Sequence, residues 1–289
     1  MWEKLAEHKN KIIVLLAALA ILDFLVFWQI GRAGTEDENL RIYFLSVGQG
    51  DSELVELPGG VKVLIDGGPP NGLVSGELSK FLPMGDRYVD LVVMSHPQLD
   101  HFGGLIEILR NYEIGAFLTS GREGEAAAFA ELEQVIEEKN IKVITLSAGD
   151  RIRYLDSRFE ILSPEPADLK SRELNDATLV MELTNGAAKA LFTGDIGADI
   201  EEKIFWKLEN IDILKVPHHG SKFSSSEKFL AAIKPAVAVV EVGKNSYGHP
   251  TKEALDRVSS VGARIFRTDL DGTLRFELSD KEIRIFQQR

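Results

Sequence analysis

An apolar run, Val89-Asp90-Leu91-Val92-Val93-Met94, leads straight into Ser95-His96-Pro97-Gln98-Leu99-Asp100-His101-Phe102-Gly103-Gly104, which sets two histidines and an aspartate within six positions. A strand ending in such a loop points to a fold whose strand ends meet at one edge. Imidazole nitrogens and carboxylate oxygens are the usual ligands of a zinc-type dication, and Pro97 with the Gly103-Gly104 pair shapes a turn able to aim several of them at one point. The remaining histidines follow suit: of six, five lie in three short loops, at His96 and His101, at His218 and His219, and at His249, with only His8 apart.

Composition narrows the chemistry. A chain of 289 residues with 44% hydrophobic content can bury a full core, so one large domain is the default. It has no cysteine, which excludes disulfides and thiolate metal sites and leaves nitrogen and oxygen as the only donors. The net charge is −12, none of it from the first 34 residues, where four cations outnumber three acids. Such a field repels a long polyanion unless basic residues gather on one face; Lys215, Lys222 and Lys244, close to the histidine loops, are the candidates.

Residues 12–30 are apolar apart from Asp23 and Gln29, long enough for a transmembrane helix. Asp23 is the flaw, since a carboxylate near the middle of a span costs about 2.5–3.5 kcal/mol on insertion scales. A cleavable signal peptide ending near Ala18-Leu19-Ala20 is the alternative, but the apolar run continues past it. Lys4, Lys9 and Lys11 precede the run and Glu36, Asp37 and Glu38 follow it, so the positive-inside rule puts the N-terminus in the cytoplasm. The expectation is a flank and anchor over residues 1–34, with the membrane as partner, and an extracytoplasmic domain over 35–289.

Beyond the linker, runs at 40–47, 53–57 and 61–65 read as hairpin strands, broken by Gly48-Gln49-Gly50-Asp51 and Pro58-Gly59-Gly60. Strand patterns at 89–94, 141–146, 159–162, 178–183, 188–192, 211–216, 236–242, 264–268, 274–278 and 283–286 then alternate with helical ones from Leu105, at 125–139, after Gly197, at 227–233 and at 252–258. The class is α/β, two stacked sheets with helices outside them.

Each candidate ligand follows a strand. Asp66 closes Val63-Leu64-Ile65, Asp195 closes Leu191-Phe192-Thr193-Gly194, His218 and His219 close Leu214-Lys215-Val216-Pro217, and His249 lies in Asn245-Ser246-Tyr247-Gly248-His249-Pro250. His96, Asp100 and His101 read as ligands rather than turn caps, and Asp195 as a carboxylate able to bridge two ions. Adjacent side chains diverge, so one of His218 and His219 binds metal while the other shuttles a proton or orients substrate; spacing does not assign which. His249 ligates or touches substrate, and Asp66 supports a ligand from behind. Asn175, Thr178, Ser221 and Lys222 offer amide, hydroxyl and ammonium groups to a phosphate, near what reads as a helix start at Gly220 to Ser224. Helix capping explains Ser224 to Ser226 equally well.

The ordered set Leu64-Ile65-Asp66-Gly67-Gly68, Ser95 to Gly104, Asn175-Asp176, Phe192-Thr193-Gly194-Asp195, Leu214 to Ser221, Tyr247-Gly248-His249-Pro250 and Arg267 to Gly272 resembles the metallo-β-lactamase superfamily. Within it, the set is most similar to the hydrolase domain of ComEC-type competence proteins and to choline-phosphate esterases. The resemblance covers about 40–286 and implies an αββα four-layer sandwich with one or two ions at one edge of the sheets. It further implies His96 and Gln98 on one ion, Asp100 and His101 on the other, Asp195 between them, and His219 and His249 completing the two spheres. Gln98 departs from the pattern, since that branch usually has an aspartate there and the wider superfamily a histidine. No multi-helix channel accompanies the domain, so DNA import by this chain alone is not expected.

The reading is a metal-dependent hydrolase, of phosphodiester bonds first and of DNA among them, with zinc ahead of manganese because the site is hard and lacks sulfur. Asp100 is expected to hold the nucleophile, and His218 or His219 to protonate the leaving oxygen. A β-lactam or other ester hydrolase, and a binding protein with a decayed metal site, are the competing classes.

Overall fold

The computed structural model describes residues 15–24, 39–279 and 282–288. By its contacts the chain divides into two units, Met1–Glu38 and Asn39–Arg289. In the first, residues 15–24 form helix α1. No helix among the described residues is long and apolar enough to cross a membrane. The expected transmembrane anchor over 12–30 and the extracytoplasmic placement are therefore corrected; residues 12–14 and 25–30 of that run lie outside the described residues.

The second unit opens with β1 (Leu40–Phe44), β2 (Glu53–Glu56), β3 (Lys62–Ile65), α2 (Leu73–Phe81), β4 (Tyr88–Val93), α3 (Leu99–Phe102), α4 (Leu105–Asn111), β5 (Glu113–Thr119), α5 (Ala127–Glu138) and β6 (Val143–Thr145). It continues with β7 (Arg151–Tyr154), β8 (Ser157–Ser163), β9 (Val180–Asn185), β10 (Ala188–Phe192), α6 (Ala198–Ile204), β11 (Ile213–Lys215), α7 (Glu227–Ile233) and β12 (Val237–Val240). The chain closes with α8 (Lys252–Ser260), β13 (Arg264–Arg267), α9 (Thr268–Asp271), β14 (Thr273–Leu278) and β15 (Ile283–Gln288). Eight strands form one sheet in the order β15-β14-β1-β2-β3-β4-β5-β6, and seven form the other in the order β13-β12-β11-β10-β9-β8-β7.

Strand periodicity explains the layering. Along β1, Ile42 and Phe44 point to one face with Val55, Ile65 and Val93, and meet Phe159, Met181, Phe192 and Val239 of the other sheet. Tyr43 and Leu45 point the opposite way, with Leu64 and Val92, and are covered by Val74 and Leu78 of α2, Leu105 and Leu109 of α4, and Leu132 of α5. On the far side, Leu191, Leu214 and Val240 meet Ile200 of α6, Leu230 and Ile233 of α7, and Val258 of α8. Strands buried on both faces need apolar residues at nearly every position, and each such side chain contributes about 1.5–3 kcal/mol on burial. The expected α/β sandwich, helix-sheet-sheet-helix, is the observed architecture.

Register fixes where the loops emerge. β3 and β4 run parallel with Ile65 opposite Val93, while β10, β11 and β12 run parallel with Leu191 opposite Leu214 and Lys215 opposite Val239. In the first sheet Phe44 pairs with Glu53, and Glu53 with Ile65. The segments after β1, β3 and β4 therefore share one sheet edge, and those after β10, β11 and β12 share another.

Candidate metal centre

Asp66, His96, Asp100 and His101 come from the segments after β3 and β4, and Asp195 and His219 from those after β10 and β11. Close backbone approach sets the first loop: Gly50 has φ +149, and a Cβ there would run into the Asp100 carbonyl. On the other side His218 and His219 both take φ 52, followed by Gly220 at φ 79. Three consecutive left-handed residues are strained for side chains other than glycine, and such strain concentrates at functional sites. Here the turn sets the two rings, 6.3 Å apart and at 76°, on one cavity.

Three buried imidazoles, His96, His101 and His219, each leave Nε2 without a hydrogen-bond partner. Each Nδ1 is anchored from behind: His96 to Ser95 Oγ at 3.0 Å, His101 to Asp66 Oδ2 at 2.8 Å, and His219 to the Glu241 carbonyl at 2.8 Å. Asp66 is held in turn by the Ser95 amide at 2.7 Å and the Ser95 hydroxyl at 2.5 Å. Asp195 Oδ2 lies 3.3 Å from His101 Nε2 and 3.4 Å from His219 Nε2, and Asp100 Oδ2 lies 3.5 Å from His219 Nε2. Donor atoms of His96, His101 and Asp195 lie within 4.8 Å of one another, as do those of Asp100, His101 and His219. Ligands at about 2.0–2.2 Å from one tetrahedral ion are separated by about 3.4 Å, so the set fits a dication. Buried, orphaned Nε2 atoms with their Nδ1 positions anchored from behind are the expected mark of metal-binding histidines.

Electrostatics agree. Burial opposes ionisation of Asp195, but His219, His101 and Lys215 outweigh it and hold the carboxyl well below its usual range. Burial likewise opposes the charged forms of His101 and His219, yet Asp195 and Asp51 raise both, His219 to about 10. His96, buried beside His101, is pushed down to about 3 and stays neutral. Converging negative charge calls for cations, which imidazolium protons supply when no ion is bound.

Beneath the histidines lies a layer that sequence reasoning missed. The Lys215 ammonium is fully buried, donates to the Gly194 carbonyl at 2.7 Å, contacts Asp195 Oδ1 at 3.4 Å and pairs with Asp51. Asp51 also faces His219 Nδ1 at 3.2 Å. Burial, Glu241 and Asp51 push the Glu53 carboxyl well up, and burial and Asp51 push Glu241 up to about 8. Lys215 is thus corrected as a polyanion contact, because no solvent reaches it; Lys222 and Lys244 are exposed.

A cavity of about 390 Å³ opens over the cluster, lined among others by Gln98, Asp100, Asp195, His218, His219 and His249. His218 is about one-third exposed, with Nε2 3.8 Å from Asp195 Oδ2. His249 packs its ring 5.7 Å from that of His218, outside the converging donor groups. Gln98 donates from Nε2 to Asn175 Oδ1 at 2.5 Å, so each amide is tied to the other.

The remaining phosphate candidates are not brought to the cavity. Thr178 is fully buried and donates to the Asn175 carbonyl. Ser221 is buried with its Oγ accepting from the Phe223 amide, and Lys222 lies over the Phe223 ring. The expected helix start is displaced: α7 begins at Glu227 under a Ser226 cap. The Ser225 and Ser226 amides, which a phosphate would need, are bound by the Glu201 carboxylate at 2.5 and 2.8 Å.

Residues 45–243 match the family model described as Metallo-beta-lactamase superfamily. The chain belongs to the metallo-β-lactamase superfamily. Among curated relatives, this superfamily member is 28% identical over 260 residues to ComE operon protein 3 of Bacillus subtilis (strain 168), covering 83% of this chain and 33% of that one. It is 31% identical over 235 residues to competence protein ComA of Neisseria gonorrhoeae, covering 80% of this chain and 31% of that one. The chain thus spans about a third of the length of these relatives. The metallo-β-lactamase fold protein YhfI from Bacillus subtilis superposes with a TM-score of 0.58 at 12% identity, over 83% of this chain and 100% of that one. The family is one of metal-dependent hydrolases, and residues His96, Asp100, His101, Asp195 and His219 form candidate metal-binding groups.

Proposed function

We propose that the domain, placed at residues 35–289, is a metal-dependent hydrolase of phosphodiester bonds. The observation that carries the reading is the set of three buried Nε2 atoms without a hydrogen-bond partner, those of His96, His101 and His219, beside Asp100 and Asp195, which with His219 line an open cavity. His96, His101, His219, Asp195 and Asp100 would hold the dication, zinc first and manganese second given nitrogen and oxygen donors. When bound, the ion lowers the pKa of a water and polarises the phosphoryl oxygen.

The chain's own residues do the rest. Asp100, at the cavity wall, orients the attacking water and accepts its proton as the new P–O bond forms. His218, which faces the cavity beside Asp195, delivers a proton to the leaving oxygen as the second P–O bond breaks. Burial lowers the His218 pKa, which makes its protonated form the stronger acid. Gln98 and Asn175 stand beside the centre as amides able to hydrogen-bond phosphoryl oxygens. Asp66 fixes His101, and Lys215 leaves Asp195 Oδ2 as the free ligand oxygen.

The competence names of two relatives make DNA the first diester to test. The test is turnover by metal-loaded protein on single-stranded DNA, bis-p-nitrophenyl phosphate, p-nitrophenyl phosphorylcholine and nitrocefin. Hydrolysis of the diesters but not of nitrocefin is expected. Turnover of nitrocefin alone would replace the reading by β-lactam hydrolysis, and a metal-loaded protein inert on the whole panel would favour a binding role.

A further inference from the structure

The cavity carries a feature the hydrolytic reading does not use. Tyr247 is 74% exposed and lines the cavity together with Pro69, Pro70 and Leu99, with its ring 5.9 Å from that of His249. An aromatic ring left in water contributes nothing to the core, yet this one is held on a stiff loop. The Asn245 side chain donates to the carbonyls of Gly243 and His249 at 2.9 and 2.8 Å and accepts from the amides of Tyr247 and His249, both at 3.1 Å. Four hydrogen bonds from one amide close residues 243–249 into a small ring and fix where Tyr247 stands.

Gln49 adds an independent observation. It lines the same cavity, accepts the Gly243 amide on Oε1 at 3.3 Å, and leaves its buried Nε2 without a partner. A buried donor without an acceptor is costly, so a polar acceptor on a ligand is its natural complement. None of the cavity-lining residues is a lysine or arginine, so a polyanion finds no cationic grip at the opening and affinity must come from other contacts.

We infer that Tyr247 is the stacking platform of a subsite beside the metal centre for a nucleobase carried next to the scissile phosphate, with Gln49 donating to that nucleotide. Base-aromatic stacking tolerates any base and needs no positive charge, which suits the lining. A cavity of about 390 Å³ is near the lower end of small-ligand pockets and holds one nucleotide unit rather than a length of duplex. The inference rests on the phosphodiesterase reading and names its substrate class.

The test is calorimetric binding of 2-deoxyribose 5-phosphate and of 2-deoxyadenosine 5-monophosphate to the metal-loaded full chain, for wild type, Tyr247→Ala and Tyr247→Phe. The base should tighten binding by about five- to a hundredfold in wild type and Tyr247→Phe, and by less than about twofold in Tyr247→Ala. Because Tyr247 is exposed, its truncation leaves the core intact, and unchanged binding of the sugar phosphate checks this. Equal binding of both ligands to wild type, or a base increment that survives Tyr247→Ala, would overturn the stacking subsite. Failure of both ligands to bind metal-loaded wild type would overturn the phosphodiesterase reading itself.

Discussion

Replacing Lys215 by methionine keeps most of the stem volume and removes only the ammonium. Lys215 is fully buried, and its charge faces the Asp51 and Asp195 carboxylates and the Gly194 carbonyl. Asp51 would then lie buried without its principal counter-charge, and Asp195 with one of its three gone, which typically costs about 3–5 kcal/mol. For a unit of this size that corresponds to a fall in melting temperature of about 6–20 °C. Chelator-treated wild type and Lys215→Met are to be compared by urea and thermal unfolding, alongside Lys215→Met/Asp51→Asn. The double variant should recover a substantial part of the loss, because neutralising Asp51 removes one uncompensated charge. A loss below about 1 kcal/mol, or a double variant less stable than the single one, would refute the claim that this ammonium is the counter-charge of the site.

Gln98→Asp removes the Nε2 donor that hydrogen-bonds Asn175 Oδ1 and adds a carboxylate beside the centre. Because both donor groups around His96 and Asp100 share His101, and one Nε2 ligates one ion, wild type should retain about one dication per chain on dialysis and Gln98→Asp more; two in wild type, or no change in the variant, by elemental analysis would contradict this. His218→Asn should slow hydrolysis of a nucleotide diester about a hundredfold or more and that of bis-p-nitrophenyl phosphate by less than about tenfold, since nitrophenolate leaves without a proton; equal losses would remove His218 as proton donor. His219, raised from 6.5 to about 10 as Asp195 and Asp51 outweigh its burial, stabilises the metal-free fold fully below about pH 6.5, and that share is lost as pH rises towards about 10. Glu241, pushed from 4.5 up to about 8, acts in the same direction between those values. Melting temperatures of chelator-treated protein should therefore fall from about pH 6.5 to about pH 9, and a rise over that window would contradict the assignment.

The strand-end rule made much of the centre legible, because parallel neighbours carry their following loops to one edge whatever their separation in sequence. His96, Asp100, His101, Asp195 and His219 meet for that reason. Asp51 obeys the same rule after β1, but its glycine-rich surroundings read only as a turn. Lys215 and Glu241 belong to the apolar edge of their strands; a lysine within Ile-Leu-Lys-Val is rarely buried unless paired, and that signal was available. Thr178 and Ser221 misled because small hydroxyls serve backbone turns as readily as ligands. α2 went unread because Ser75, Gly76 and Ser79 weaken its helical signal. β5, whose Gly115 interrupts the pattern, and the four-residue β7 went unread too. The expected membrane span rested on the hydropathy of residues 12–30, and no helix among the described residues is long and apolar enough to cross a membrane.

The central claim is that His96, His101 and His219 converge with Asp195 and Asp100 on a dication. X-ray absorption of the zinc-loaded protein tests it most directly. The geometry predicts nitrogen and oxygen scatterers alone at about 2.0–2.2 Å, with the multiple-scattering signature of about two imidazoles per tightly held ion, since each donor group carries two histidines. A protein that retains no zinc, or a bound ion with no imidazole signature, would contradict it.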